Sequence, residues 1–213
     1  MPAYPTVLLA DDHAVVRRGL IEILQEHFPS ASFLEAATGH QAIELASTHA
    51  CDVVILDLFM PGGSGIDVLS EIHKLKPKLP ILIMSGYPED QYGIRVLRAG
   101  AAGFLAKESA SEELVAAVRK LLHHGRYLSA SLADRLAANV QNPGNMAPHE
   151  LLTTREFEIL RMIGVGKSVT KIAEDLHLSD KTVSTYRSRI LEKMQLSTNA
   201  ELMRYCLEHA LVQ

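Results

Sequence analysis

Residues 53–62 read VVILDLFMPG, and the fold turns on them. Val53, Val54, Ile55 and Leu56 are an unbroken apolar run that stops at Asp57, the pattern of a strand covered by helices on both faces of a parallel sheet. Working toward the N-terminus, Thr6-Val7-Leu8-Leu9-Ala10 and Ser32 to Ala36 read as two earlier strands. In the other direction Ile81-Leu82-Ile83-Met84 and Gly103 to Ala106 read as two later ones. Amphipathic helical segments separate them, so the strand–helix unit repeats five times between Thr6 and about His124. This alternation predicts an α/β fold with a doubly wound, five-stranded parallel sheet. Such sheets carry their functional groups beyond the carboxyl ends of the strands. Those ends hold Asp11 and Asp12, Asp57, Ser85, and Lys107.

Spread over about a hundred residues, these groups would emerge at one edge of the sheet. Three carboxylates held together repel one another unless a cation shares them, and hard oxygen ligands suit Mg²⁺. With that charge balanced, Asp57 can act as a nucleophile toward phosphorus, while the Lys107 ammonium neutralises charge on the transferred oxygens. Ser85 offers a hydroxyl to one phosphoryl oxygen, and Gly86 leaves the approach open. Singly, an Asp at a strand end is a turn or cap residue and Lys107 a solvated one; their coincidence at matching strand ends is what points to chemistry.

Asp11-Asp12, Asp57 in Asp-Leu-Phe-Met-Pro-Gly, Met84-Ser85-Gly86 and Phe104-Leu105-Ala106-Lys107 together resemble the signature of the response-regulator receiver family, over roughly residues 6 to 125. The resemblance implies a flavodoxin-like domain in which Asp57 is the phosphoacceptor and a histidine kinase the donor. It further implies that Asp12, Asp57 and the Phe59 backbone carbonyl bind Mg²⁺ directly, with Asp11 assisting through water. Phe104 falls at the family's switch-aromatic position without a hydroxyl, so any rotation of its ring is driven by packing alone. The competing chemistry is a Mg²⁺-dependent phosphohydrolase with an Asp nucleophile, similar to the haloacid dehalogenases. That reaction needs a second carboxylate two residues after the nucleophile, and Phe59 stands there.

Strand signals end after His124. Ser129 to Gln141 reads as a further helix, with Leu132, Leu136 and Val140 at helical spacing. Asn142 to Pro148 is rich in turn formers and reads as an interdomain linker. Leu151 to Gln213 reads as all helix, opening on the capping-box pattern Thr153-Thr154-Arg155-Glu156. Within it Val169 to Leu176 is a short helix, His177-Leu178 a tight turn, and Ser179 the cap of a helix running to about Met194, an arrangement that fits a helix-turn-helix. A plain helical hairpin has the same periodicity. The second helix separates the two readings: Val183, Ile190 and Met194 form one stripe, while Lys181, Ser184, Thr185 and Ser188 form a small, hydrogen-bonding stripe opposite, suited to a major groove. Lys167, Lys181 and Arg189 can reach flanking phosphates. Arg187 lies only about 40° from Val183 on the helical wheel, so an intradomain pair with a carboxylate competes with a phosphate contact there.

The segment from Leu152 through Lys181-Thr182-Val183 to Met194 resembles the four-helix DNA-binding domain of the LuxR type. Joined to a receiver, it is similar to the NarL/FixJ subfamily of response regulators. The resemblance implies sequence-specific binding of double-stranded DNA by Lys167, Lys181, Thr182, Ser184, Thr185, Arg187, Ser188 and Arg189. It implies a homodimer formed with help from the last helix, about Thr198 to His209, and makes RNA polymerase a candidate partner. A helical domain that binds RNA or protein on phosphorylation is the alternative, but Tyr186 is the only aromatic in the proposed reading helix, and readers of single-stranded RNA usually stack bases on several.

The expected division is receiver 1–125, helix and linker 126–147, and helix-turn-helix domain 148–213. With 47% hydrophobic residues the chain can build cores of this size. No stretch has the apolar length of a membrane span or the form of a secretory signal, which predicts a cytoplasmic protein. Cys51 and Cys206 lack zinc spacing and read as ordinary thiols. The net charge of −4 excludes a protein that coats nucleic acid by bulk charge. Between Pro148 and Gln213 there are nine Lys and Arg against nine Asp and Glu, so DNA binding there must come from a local surface.

Overall fold

Seven strands and ten α-helices are found among the described residues of the computed structural model, which are 4–60, 63–109, 111–123, 125–141 and 147–212. The strands are β1 (Thr6–Ala10), β2 (Ser32–Ala36), β3 (Val53–Asp57), β4 (Phe59–Met60), β5 (Gly63–Ser64), β6 (Ile81–Ser85) and β7 (Gly103–Ala106). The first six helices are α1 (Ala14–His27), α2 (Gly39–Thr48), α3 (Gly65–Leu75), α4 (Glu89–Arg98), α5 (Ser111–Leu122) and α6 (Ala130–Gln141). Five strands form one parallel sheet in the order β2-β1-β3-β6-β7, while β4 and β5 form a short antiparallel pair. The α/β doubly wound sheet expected from the apolar runs is therefore present.

The runs are unbroken because both faces of the sheet are covered. Val7, Leu9, Val53, Ile55, Leu82, Met84 and Leu105 form one core with Leu20 and Leu24 of α1 and Leu114, Val118 and Leu121 of α5. Alternate residues Leu8, Val54, Leu56, Ile83 and Phe104 point the other way and are equally buried. Burying each such side chain contributes about 1.5–3 kcal/mol. From β1 the chain winds out to β2 and then returns past β1 to β3, so the switch point of the sheet lies between β1 and β3. The register pairs Ala10 with Leu56, which sets residues 11 and 57 side by side at the carboxyl edge. Asp57 pairs with Met84 and Ser85 with Ala106, so Ser85 and Lys107 follow along the same edge.

The chain divides into two units, Met1–Arg135 and Leu136–Gln213, with the division inside α6. Within the first unit Tyr127 N donates to Ala102 O at 2.9 Å. Ser129 Oγ caps α6 by accepting from Leu132 N at 3.0 Å and donates to Glu89 of α4 at 2.6 Å. Leu132 is buried against Gly93, where a Cβ would meet its Cδ1 at 2.9 Å. Leu136 is only half-buried. Of the expected linker, residues 142–146 lie outside the described residues, and the helices that follow are preceded by a 3-10 turn, Pro148–Leu151.

The second unit continues with α7 (Thr154–Gly164), α8 (Val169–Leu176), α9 (Asp180–Met194) and α10 (Asn199–Glu208). Thr153 and Glu156 form the expected capping box. Phe157, Leu160 and Ile163 of α7 are buried with Ile172 and Ala173 of α8, Val183, Ile190 and Met194 of α9, and Leu202 and Cys206 of α10. Gly164 lets α7 approach α10, since a Cβ there would stand 2.9 Å from Cys206 Sγ. His177 turns the chain between α8 and α9 in the left-handed region (φ 53°), and Leu178 N closes the turn on Ala173 O at 2.8 Å.

Candidate functional site

Because the parallel register aligns the strand ends, side chains far apart in sequence converge. Lys107 Nζ stands 2.6 Å from Asp11 Oδ2 and 2.8 Å from Asp57 Oδ2, bridging two carboxylates that are each 4% exposed. The charge problem posed by the carboxylate cluster is thus met first by an ammonium of the chain itself. Burial pushes the Asp57 carboxyl above its usual range, opposed by the hydrogen bond and charge of Lys107 and reinforced by the charge of Asp11. Burial works against the Lys107 ammonium too, but its hydrogen bonds to Asp11 and Asp57 outweigh that and raise its pKa, keeping it charged. Phe59 N donates to Asp57 Oδ1 at 3.3 Å, and Ser85 Oγ accepts from Tyr87 N at 3.0 Å, which leaves the Ser85 hydrogen free to donate. Phe104 is 1% exposed, its ring buried rather than turned outward.

Asp11, Asp12, His13 and Asp57 offer ligand atoms that all lie within 4.8 Å of one another. Asp12 Oδ1 is shielded from solvent and accepts no hydrogen bond of acceptable geometry, although His13 Nδ1 stands 2.8 Å from it. A shielded carboxylate oxygen without a donor, beside two more carboxylates, is what a hard cation would satisfy.

Several contributors escape a reading of the sequence. His13 anchors the acidic pair, donating its backbone N–H to Asp11 Oδ1 at 2.8 Å, and Arg17 Nη1 donates to Asp11 O at 2.7 Å. Phe59, Tyr87 and Tyr92 form an aromatic cluster with ring centroids 4.5 Å (Phe59–Tyr87), 5.7 Å (Phe59–Tyr92) and 5.5 Å (Tyr87–Tyr92) apart. Gly65 opens α3 directly beneath the Asp57 loop, where a Cβ would stand 2.4 Å from Asp57 O and 2.6 Å from Leu58 O. A glycine before a helix was the only signal for it.

The second unit presents the other candidate surface. On α9, Lys181, Ser184, Thr185, Ser188 and Arg189 are exposed opposite the buried stripe of Val183, Ile190 and Met194. Lys181 and Arg189 have no ion pair among the described residues. Thr185 and Ser188 turn their hydroxyls back onto Lys181 O and Ser184 O, at 2.9 and 3.1 Å. Thr182 is half-buried in the helix cap, its Oγ1 2.8 Å from Ser179 Oγ. Arg187 makes the intradomain contact weighed above, but with a different partner: its Nε donates to the Asn199 amide oxygen at 2.5 Å, not to a carboxylate. Lys167 is held by Asp175 at 2.7 Å.

Residues 7–119 match the model of the response regulator receiver domain, and residues 150–206 that of the bacterial regulatory proteins of the luxR family. The chain is 34% identical over 206 residues to the response regulator UvrY of Escherichia coli, covering 96% of this chain and 94% of UvrY. It is 33% identical over 207 residues to the response regulator GacA of Pseudomonas aeruginosa, covering 97% of each. With the oxygen regulatory protein NreC of Staphylococcus carnosus it shares 36% identity over 213 residues, covering 97% of this chain and 98% of NreC. Among solved structures, RcsB of Salmonella typhimurium superposes with a TM-score of 0.70 at 26% identity, covering 95% of this chain and 96% of RcsB. RcsB of Salmonella enterica serovar Typhimurium, bound to promoter rprA in the presence of phosphomimetic BeF3−, gives 0.65 at 26% identity, covering 94% of this chain and 98% of that one. Matched in both domains and across nearly the full length of these relatives, the chain belongs to the NarL/FixJ response regulators, phosphorylatable regulators of transcription.

Proposed function

We propose that Asp57 is the phosphoacceptor, that a histidine kinase is its donor, and that α9 delivers the output by reading double-stranded DNA in the major groove. The observation that carries the first part is the bridge of Lys107 between Asp11 and Asp57 at 2.6 and 2.8 Å. It brings a nucleophilic carboxylate, a charge-neutralising cation and the Ser85 hydroxyl to one sheet edge. In transfer, an Asp57 carboxylate oxygen forms a bond to phosphorus as the bond from phosphorus to the kinase's histidine nitrogen breaks, leaving an aspartyl phosphate. Lys107 then exchanges the Asp57 oxygen for a phosphoryl oxygen, and Ser85 donates its free hydrogen to another.

Asp11, Asp12, Asp57 and the Phe59 carbonyl would hold Mg²⁺, as the unsatisfied Asp12 oxygen supports. When bound, Mg²⁺ supplies positive charge that shields the phosphoryl oxygens during transfer. The position a phosphohydrolase would give to a general acid is filled by the Phe59 ring, tilted against Tyr87 and edge-on to Tyr92, which favours a persistent phosphoprotein over turnover.

In the output domain, taken as 148–213 after a receiver of 1–125 and a connecting segment of 126–147, Ser184, Thr185 and Ser188 approach base edges. Lys167, Lys181 and Arg189 take phosphates. Arg187 and Thr182 act from within the helix framework. The DNA complexes of RcsB support this use of the shared fold. The regulator works as a homodimer on DNA, in the cytoplasm, where at a promoter it meets RNA polymerase. No described helix is long and apolar enough to cross a membrane.

The test is phosphorylation of the full chain by a small phosphodonor with Mg²⁺. The wild-type chain should form an acid-stable, hydroxylamine-labile phosphoprotein, and Asp57→Asn should form none. Full labelling of Asp57→Asn would overturn the assignment.

A further inference from the structure

Helix α8 carries its charges in an order that works against its own stability. Lys171 sits in its first turn and Glu174 and Asp175 in its last, with no acidic residue in the first turn and no basic residue in the last. That is the reverse of what the helix dipole favours, and Lys preceding Asp by four residues is the weaker orientation of such a pair. The charge order is therefore not the one that best stabilises the helix. The Asp175 carboxylate divides its two oxygens between two ammonium groups: Oδ2 lies 2.7 Å from Lys167 Nζ and Oδ1 lies 3.1 Å from Lys171 Nζ. Lys171 also reaches Glu174 at 3.2 Å. All four side chains are substantially open to solvent, so these pairs are exchangeable. In a helix-turn-helix the first helix crosses the phosphate backbone while the second enters the groove. Here α8 is that first helix, coupled to the reading helix by the hydrogen bond from Thr170 Oγ1 to Asp180 Oδ2 at 2.8 Å.

We propose that Lys167, just before the N-cap of α8, and Lys171, in its first turn, form a phosphate-contacting pair and that Asp175 is a brake on it, holding both ammonium groups so that DNA must displace the carboxylate before either can contact a phosphate. The assignment rests on the reading of α8 and α9 as a DNA-binding surface. It adds Lys171 to the contacts and gives Asp175 a role that a structural ion pair lacks. Because phosphates are the same in every sequence, the brake lowers affinity for all duplexes alike. It leaves discrimination to the side chains that reach the bases, which suits a domain whose nine positive and nine negative charges cancel.

The test uses the full chain, treated throughout with Mg²⁺ and a small phosphodonor, and titrated against a mixed-sequence duplex and a duplex selected from a random pool, at several salt concentrations. Asp175→Asn keeps the side chain's size and should tighten binding to both duplexes several-fold by a similar factor. The slope of log K against log salt should stay as in the parent, since both lysines reach phosphates in either complex, and should become shallower by about 0.9 for each lysine replaced by alanine. In a Lys167→Ala/Lys171→Ala background Asp175→Asn should have no effect, which separates the brake from a general loss of negative charge. A gain that persists in that background, a salt slope that Lys167→Ala/Lys171→Ala leaves unchanged, or weaker binding by Asp175→Asn would each overturn the assignment while leaving the DNA-binding reading intact. A parent chain that binds neither duplex would overturn that reading, and this assignment with it.

Discussion

Glu156 ties the entry of the helical domain to its reading helix, and the cost of removing it can be worked from its contacts. Its carboxylate is 4% exposed; Oε2 accepts from Thr153 N at 2.8 Å and from Lys193 Nζ, on α9, at 2.7 Å. Glu156→Ala deletes one arm of the capping box, about 1 kcal/mol. It also deletes the hydrogen bond to Lys193, but that side chain is 38% exposed and solvent screening holds its share to about 1 kcal/mol. The slightly better helix propensity of alanine returns a few tenths at most. The expected loss is about 2 kcal/mol, or roughly 8–16 °C in the midpoint of a unit this small. Glu156→Gln keeps an acceptor for Thr153 N and should lose about half as much.

Hydrogen exchange of the full chain, read on peptides from α7 and α9, measures both variants. A loss below about 0.5 kcal/mol for the alanine variant would contradict the contribution assigned to these two hydrogen bonds, and equal losses for the two would assign the whole effect to charge. The acid limb provides a second check. Burial pushes the Glu156 carboxyl up, but the hydrogen bonds from Lys193 and Thr153 outweigh it, so the folded pKa lies below the usual 4.5. A depressed folded pKa gives stability that is complete above the unfolded value and lost as pH falls through the folded one. Wild type should therefore lose exchange protection on acidification below about 4.5 by an increment that Glu156→Gln does not show.

Two further outcomes follow from the packing. Gly65→Ala places a Cβ against Asp57 O and Leu58 O, both backbone, so the phosphoacceptor loop must move. Phosphorylation should slow by at least about tenfold, with a stability loss of about 1–3 kcal/mol, whereas Gly19→Ala, with open space around it in α1, should be neutral or stabilising by up to about 1 kcal/mol. Equal phosphorylation rates for the two variants would remove Gly65 from the site's support. Burial pushes the Cys206 thiol from the usual 9.0 up to about 11. The unfolded chain loses that proton first, so stability should fall as pH rises between these values. At pH 8 a thiol reagent should modify half-buried Cys51 well before Cys206, and reaction at equal rates would contradict the packing of α7 on α10.

Much of this molecule was legible from one dimension because the signals are local. Unbroken apolar runs mark Thr6–Ala10, Val53–Asp57 and Ile81–Ser85 as strands since both sheet faces are covered, and the polar residue that ends each run falls at the functional edge by topology alone. Thr153 with Glu156, and Ser179 before α9, announce their helices through caps that reach only three residues. The side of α9 that is buried followed from its helical period, because Val183, Ile190 and Met194 recur at the spacing of one face. What the sequence withheld depends on which distant side chains meet. Lys107 was legible as a cation at the right edge, but its bridge from Asp11 to Asp57 is set by strand register and rotamer. Arg187 could be placed near the buried face, yet its partner proved to be the Asn199 amide rather than a carboxylate, since the chain's return into α10 decides which oxygen is within reach. The close approach at Gly65 and the seizure of Lys167 and Lys171 by Asp175 have the same origin. Periodicity and capping report the energy of a segment with itself and its solvent, whereas pairings across tens of residues are decided only when packing has fixed the distances.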